Sequence, residues 1–186
     1  MILYIHGFAS CGTGNKSDTL KSYFGEDNVI APNLPFSPKE AIKFLSNIIK
    51  NNKIDLLIGS SLGGYYAIYL AQKFNKKAVL INPSLKPHHT LLPHIGKIKR
   101  FCDGYEFIWK EEFIKELIAL KVKRYEYERY LILLQSLDEV LNYQETLNQF
   151  VHKSKVIVEY GGNHRFENLE DYLCLIDNFR RENGSH

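Results

Sequence analysis

Long apolar runs are missing from this sequence. No stretch approaches the ~20 consecutive apolar residues that a bilayer-crossing helix requires, so a helical membrane span is excluded. Cysteine is scarce: Cys11, Cys102 and Cys174 lie far apart with no C-x-x-C pair. That spacing indicates neither a disulfide framework nor a zinc site and fits free thiols in a reducing compartment. A strong charge of one sign is lacking as well. The 24 Lys and Arg against 21 Asp and Glu leave a formal +3, too mild to point to nucleic acid, whose binders carry a concentrated basic stripe. No basic leader precedes Met1-Ile2-Leu3-Tyr4-Ile5, which runs straight into His6-Gly7 and reads as a first strand rather than a signal peptide, with cytoplasmic location as the expectation. At 45% hydrophobic and 24% charged residues the chain is too apolar to be disordered, and its 186 residues suit one buried core rather than two. One domain over 1–183 is expected. Gly184-Ser185-His186 reads as the remnant of an expression tag.

What the chain does have is a series of short apolar runs, at Ile2 to Ile5, Asn28 to Ala31, Ile54 to Ile58, Ala78 to Ile81, Tyr130 to Leu134 and Val156 to Glu159. Their apolar residues are mostly consecutive rather than alternating, as expected for strands of a parallel sheet covered on both faces. Helical periodicity fills the intervals. Ser37-Pro38-Lys39-Glu40 has the form of a capping box with proline in the first turn, and Ala41, Ile42, Leu45, Ile48 and Ile49 mark the buried face behind it. A closing helix is expected near Asn168, with Leu173, Ile176 and Phe179 facing the core and Arg180 and Arg181 at its end. The pattern predicts an α/β domain with a mostly parallel six-stranded sheet and helices on both faces. Residues 83–128, after the fourth strand, are too long for an ordinary connection. They form either a lid-like insertion over a site or a decorated crossover.

Gly59-Ser60-Ser61-Leu62-Gly63 lies between the third strand and an apolar stretch that continues to Phe74. This is the order of a nucleophile elbow, in which a strained strand-to-helix turn lifts a serine while glycines on either side, here Gly59 and Gly63, let the backbone close. A serine hydroxyl needs a base, and the base needs an acid to orient it. His164 follows Gly161-Gly162-Asn163 after the last strand, and Asp138 follows the fifth strand. Both therefore fall at the carboxyl edge of the sheet, where Ser61 also lies and where open α/β sheets bind ligands. The order Ser61, Asp138, His164 is that of α/β-hydrolases. For the oxyanion, the backbone N–H groups of Leu62 and of Phe8, in His6-Gly7-Phe8, are the candidate donors. His6 is expected to be a structural hydrogen-bonding residue.

Several blocks together also resemble one family: His6-Gly7-Phe8, Gly59 through Ala67, Asn82-Pro83, Leu134-Gln135, Asp138 through Tyr143, and Gly161 through Phe166. They are similar to the YqiA/YcfP-type small esterases of the α/β-hydrolase superfamily. The resemblance implies a minimal α/β-hydrolase fold with strand order 2-1-3-4-5-6, activity on acyl esters or thioesters, and the nucleophile, acid and base at Ser61, Asp138 and His164. One position departs from the family pattern, Leu137 in place of a glycine before the acid. A bulky residue resists positive φ, which leaves Glu139 as a reserve acid.

Two other readings remain. A catalytically silent α/β binding protein is possible because fold does not fix function. A nucleotide-binding loop is the less favoured one, since Thr13-Gly14-Asn15 separates Gly12 from Lys16-Ser17 and breaks the Walker spacing. The substrate is expected to be a small molecule, with no metal or organic cofactor required. In the insertion, Lys86, His88, His89, His94, Lys97, Lys99 and Arg100 could steer an anionic substrate tail, and Phe101, Tyr105, Phe107 and Trp109 could line an acyl pocket.

Overall fold

In the computed structural model, residues 1–182 are described; residues 183–186, and with them Gly184-Ser185-His186, lie outside the described residues. The elements run β1 (Ile2–Ile5), α1 (Asn15–Phe24), β2 (Val29–Ile30), α2 (Pro38–Asn51), β3 (Leu56–Ser60), α3 (Leu62–Phe74) and β4 (Lys77–Ile81). There follow α4 (Pro87–Thr90), β5 (Gly96–Lys99), β6 (Glu106–Trp109), α5 (Glu111–Ala119), β7 (Tyr130–Gln135), α6 (Tyr143–Phe150), β8 (Lys155–Glu159) and α7 (Leu173–Arg181).

Six strands form one sheet in the order β2-β1-β3-β4-β7-β8, and every neighbouring pair is parallel. With the hairpin strands β5 and β6 set aside, this is the order 2-1-3-4-5-6. Successive side chains of a strand point to opposite faces, and here both faces are dry. Leu3, Ile5, Leu57, Leu80, Ile132 and Leu134 face α2, α3 and α5. Ile2, Tyr4, Ile58, Val79, Ile81 and Leu133 face α1 and α7. That two-sided burial is the physical origin of the uninterrupted apolar runs.

Local signals behave as their chemistry requires. Ser37 Oγ caps α2 by accepting the Glu40 N–H at 3.2 Å, but it also donates to the Glu116 carboxylate of α5 at 2.7 Å, so the cap ties the insertion to the sheet. Ala41, Ile42, Leu45 and Ile49 are buried. Leu173, Ile176 and Phe179 are buried in α7, which a single 3₁₀ turn at Leu169–Tyr172 precedes.

Two expectations are corrected. The sequence pattern contained no strands between β4 and β7, yet β5 and β6 pair antiparallel, Ile98 opposite Phe107 and Gly96 opposite Trp109. Each is four residues long and alternates buried or half-buried with exposed positions, too short a pattern beside charged residues to stand out from loop. Second, Cys11 and Cys102 are not free thiols but form a disulfide, with Cα atoms 6.2 Å apart and a sequence separation of 91. The fold brings the loop after β1 against the β5–β6 turn, where Phe101 N–H also donates to Ala9 O at 2.8 Å, and no linear spacing foretells that. Cys174 is free and exposed. Among the described residues, no helix is long and apolar enough to cross a membrane.

Candidate active site

Because all six main strands are parallel, the loops leaving β3, β7 and β8 emerge at one edge. Ser61 follows β3 directly at φ 54° and ψ −120°, a left-handed backbone position that a non-glycine residue holds only under strain. Close packing enforces it. A Cβ at Gly63 would stand 2.0 Å from Ile5 O, and one at Gly59 would stand 2.2 Å from Gly63 O, so only glycine lets α3 begin this near β1 and β3. The Ser61 carbonyl accepts from the N–H groups of Gly64 and Ser84, each at 3.0 Å.

His164 Nε2 lies 3.0 Å from Ser61 Oγ. On its other side, Nδ1 is 2.8 Å and 2.9 Å from the two Asp138 carboxylate oxygens. The Asp138 side chain is only 2% exposed, and its Oδ1 also accepts the Val140 and Leu141 N–H groups at 2.9 Å and 2.8 Å. The three residues form one hydrogen-bonded chain. Glu139 is directed elsewhere: its carboxylate accepts the backbone N–H of His164 at 2.9 Å, which holds it below the usual glutamate range. Leu137 is exposed and is not among the described residues with positive φ, so the missing glycine does not disturb Asp138.

A second polar network, absent from the sequence reading, fixes the histidine loop. Asn82, at φ 39° and buried, donates through Nδ2 to Asn163 O and His164 O at 3.1 Å and 3.3 Å, while its Oδ1 accepts Gln135 N–H at 3.0 Å. Gln135 accepts the Asn163 N–H at 2.9 Å and donates to Glu159 and Asn168. Gly162, at φ 70°, is pressed against it, and a Cβ there would meet Gln135 Cδ at 2.1 Å. Glutamine closing the apolar run Tyr130–Gln135 was the available signal, since a buried amide must find partners.

His6 has the expected structural role. Its Nδ1 bonds Gly7 O at 2.8 Å, its Nε2 accepts the Leu34 N–H at 3.1 Å, and burial lowers its pKa. Phe8 and Leu62 flank Ser61 from the loop after β1 and from the start of α3. Two cavities share Gly7, Phe8 and Ser10 in their linings. One is a cleft of about 540 Å³ whose lining includes Ser61, His164, Lys16 and Arg165. The other is a slot of about 30 Å³ beside Phe8 and Leu62, walled by Phe36, Tyr66, Phe107 and Trp109.

The insertion meets its expectations only in part. Phe107 and Trp109 line the slot, whereas Phe101 borders the cleft and Tyr105 is exposed. None of the seven basic residues named above lines either cavity, and Lys86, Lys97 and Arg100 are paired with Glu145, Glu106 and Asp103. Cys11, Cys102 and Asp103 bring ligand-type atoms within 4.8 Å of one another, but the two sulfurs are bonded together and offer no thiolate to a metal.

A family model, described as Uncharacterised protein family (UPF0227), matches residues 1–181. The chain belongs to the UPF0227 family. Its curated relatives include UPF0227 protein YcfP of Escherichia coli strain K12 / DH10B, 24% identical over 189 residues that span 97% of this chain and 98% of the relative. Among solved structures, the esterase domain of a Rhodothermus marinus protein superposes with a TM-score of 0.67 at 20% identity, over 97% of this chain and 86% of that one. Est1E from Butyrivibrio proteoclasticus gives 0.68 at 14% identity, over 96% and 84%. Likeness at such identities is one of fold, and this UPF0227 chain has the α/β-hydrolase fold.

Proposed function

We propose that this protein is a serine hydrolase that cleaves acyl esters or thioesters through an acyl-enzyme intermediate. The observation that carries the reading is the unbroken chain from Ser61 Oγ through the His164 ring to a buried Asp138 carboxylate held by three N–H donors. His164 Nε2 accepts the serine proton as Oγ attacks the acyl carbonyl, and Asp138 holds the ring's orientation and stabilises the imidazolium. Backbone N–H groups of Phe8 and Leu62 receive the oxyanion, where one donor is typically worth ~10²–10³ in rate. His164 then protonates the departing alcohol or thiol, and water attacks the acyl-serine by the same route in reverse.

The two cavities divide the substrate. The leaving group takes its proton from His164 and so occupies the cleft that His164 lines, while the acyl chain enters the slot beside Phe8 and Leu62. One water needs roughly 10–15 Å³ of such space, so a slot of about 30 Å³ holds two or three non-hydrogen atoms. Acetyl to butyryl groups fit it. Residues 83–128 act as a cover that supplies Phe107 and Trp109 to the slot's aromatic wall.

A p-nitrophenyl ester series from acetate to decanoate, with wild type beside Ser61→Ala, tests this. Serine-dependent turnover that peaks at two to four carbons is expected. Equal rates with and without Ser61 contradict the reaction class, and a peak at eight or more carbons contradicts the slot assignment.

A further inference from the structure

The cleft beside Ser61 carries two cations that no carboxylate among the described residues engages directly. Lys16, in the first turn of α1, and Arg165, the residue after His164, both line it. Lys16 Nζ donates to the backbone carbonyl of Arg165, a neutral partner. Arg165 uses its own N–H on Asn163 at 2.9 Å, and its exposed guanidinium has no ion pair or hydrogen bond among the described residues. The acids on the same walls are occupied by neutral donors, Glu139 by the His164 N–H and Glu167 by Asn163 Nδ2 at 3.0 Å. The basic residues of the insertion, by contrast, stand outside both cavities.

Two cations side by side, one of them drawn partly out of water, repel each other in the free protein, and a bound anion converts that repulsion into attraction. Burial pushes the Lys16 ammonium down to about 8; Glu167 opposes that shift, and the Arg165 charge adds to it by less. Arg165 offers a planar fork and Lys16 a point charge, a pair suited to an oxyacid group. With Glu139 and Glu167 nearby, a singly charged carboxylate fits better than a phosphate dianion.

We infer that Lys16 and Arg165 form a carboxylate subsite in the leaving-group half of the cleft, so that the preferred ester carries an acid on its alcohol or thiol side. The assignment to the leaving group rests on the proposed roles of Ser61 and His164; the subsite itself does not.

Calorimetric titration of the Ser61→Ala protein with 3-carboxy-4-nitrophenol and with 4-nitrophenol reads the subsite without chemistry. The carboxylated phenol is expected to bind at least tenfold more tightly. Adding either Lys16→Gln or the surface substitution Arg165→Gln should erase most of that difference. In wild type, 3-carboxy-4-nitrophenyl acetate should exceed 4-nitrophenyl acetate in kcat/KM by a similar factor. Equal binding of the two phenols, or a preference that survives in both variants, overturns the subsite even if both acetates are hydrolysed. A binding preference that depends on Lys16 and Arg165 upholds it even if neither acetate is hydrolysed, and then the hydrolase reading is what fails. Tighter binding of inorganic phosphate than of the carboxylated phenol overturns the choice of carboxylate.

Discussion

Asp138 and Glu139 are adjacent carboxylates given different tasks by their hydrogen bonds. Asp138 faces the imidazole and two backbone N–H groups, while Glu139 reaches only the backbone of His164. Asp138→Asn presents an amide that can no longer fix the required tautomer, and kcat should fall by ~10⁴, as the same change does in the serine-protease template. Glu139→Gln keeps a carbonyl to accept the His164 N–H and should cost less than about tenfold, within the effect of one neutral hydrogen bond. Steady-state kinetics of the two variants on one ester check the assignment, and the reverse ranking would make Glu139 the acid. Ser61 and His164 were legible because glycines frame them in sequence. Asn82 and Gln135 were not given roles, since nothing in their local sequence reveals partners 81 and 28 residues away.

Among the secondary-structure elements, those buried on both faces were legible and those held by long-range contacts were not. β1, β3, β4 and β7 have consecutive apolar residues because two helical layers cover them, whereas edge strand β8 packs Val156 and Val158 on one side and leaves Ile157 exposed. The β5–β6 hairpin has one buried side and is positioned from outside itself, by the Cys11–Cys102 bond and the packing of Phe8 against Trp109, ring centroids 4.9 Å apart. A cross-link between positions this distant in sequence restricts the unfolded chain strongly, with typical stabilisation of ~2–4 kcal/mol. Cys102→Ser, or full reduction, should therefore lower Tm by about 5–15 °C in a domain of this size. Thermal unfolding with and without a phosphine reductant measures it. An unchanged Tm would mean that the two sulfurs are not bonded in the folded protein.

At the level of the complete protein, the parallel sheet gathers three loops from distant parts of the chain at one edge, and the insertion closes the space above them into a small slot and a wide cleft. Strand order and family were readable because the motif blocks span nearly the entire sequence, in agreement with a family match over residues 1–181. The division of the space into slot and cleft was not readable, because it depends on how the hairpin lies over Phe8, and the basic residues that stand out in the sequence are those of the insertion rather than Lys16 and Arg165. All of the chemistry assigned to this edge requires that Ser61 be a nucleophile activated by His164. Labelling of the native protein with a fluorophosphonate probe, followed by mass spectrometry of the modified peptide, tests that most directly. One adduct is expected, on Ser61, formed rapidly in wild type, slowed by several orders of magnitude in His164→Ala and absent in Ser61→Ala. A folded wild-type protein that remains unlabelled, or is labelled equally well without His164, would contradict it.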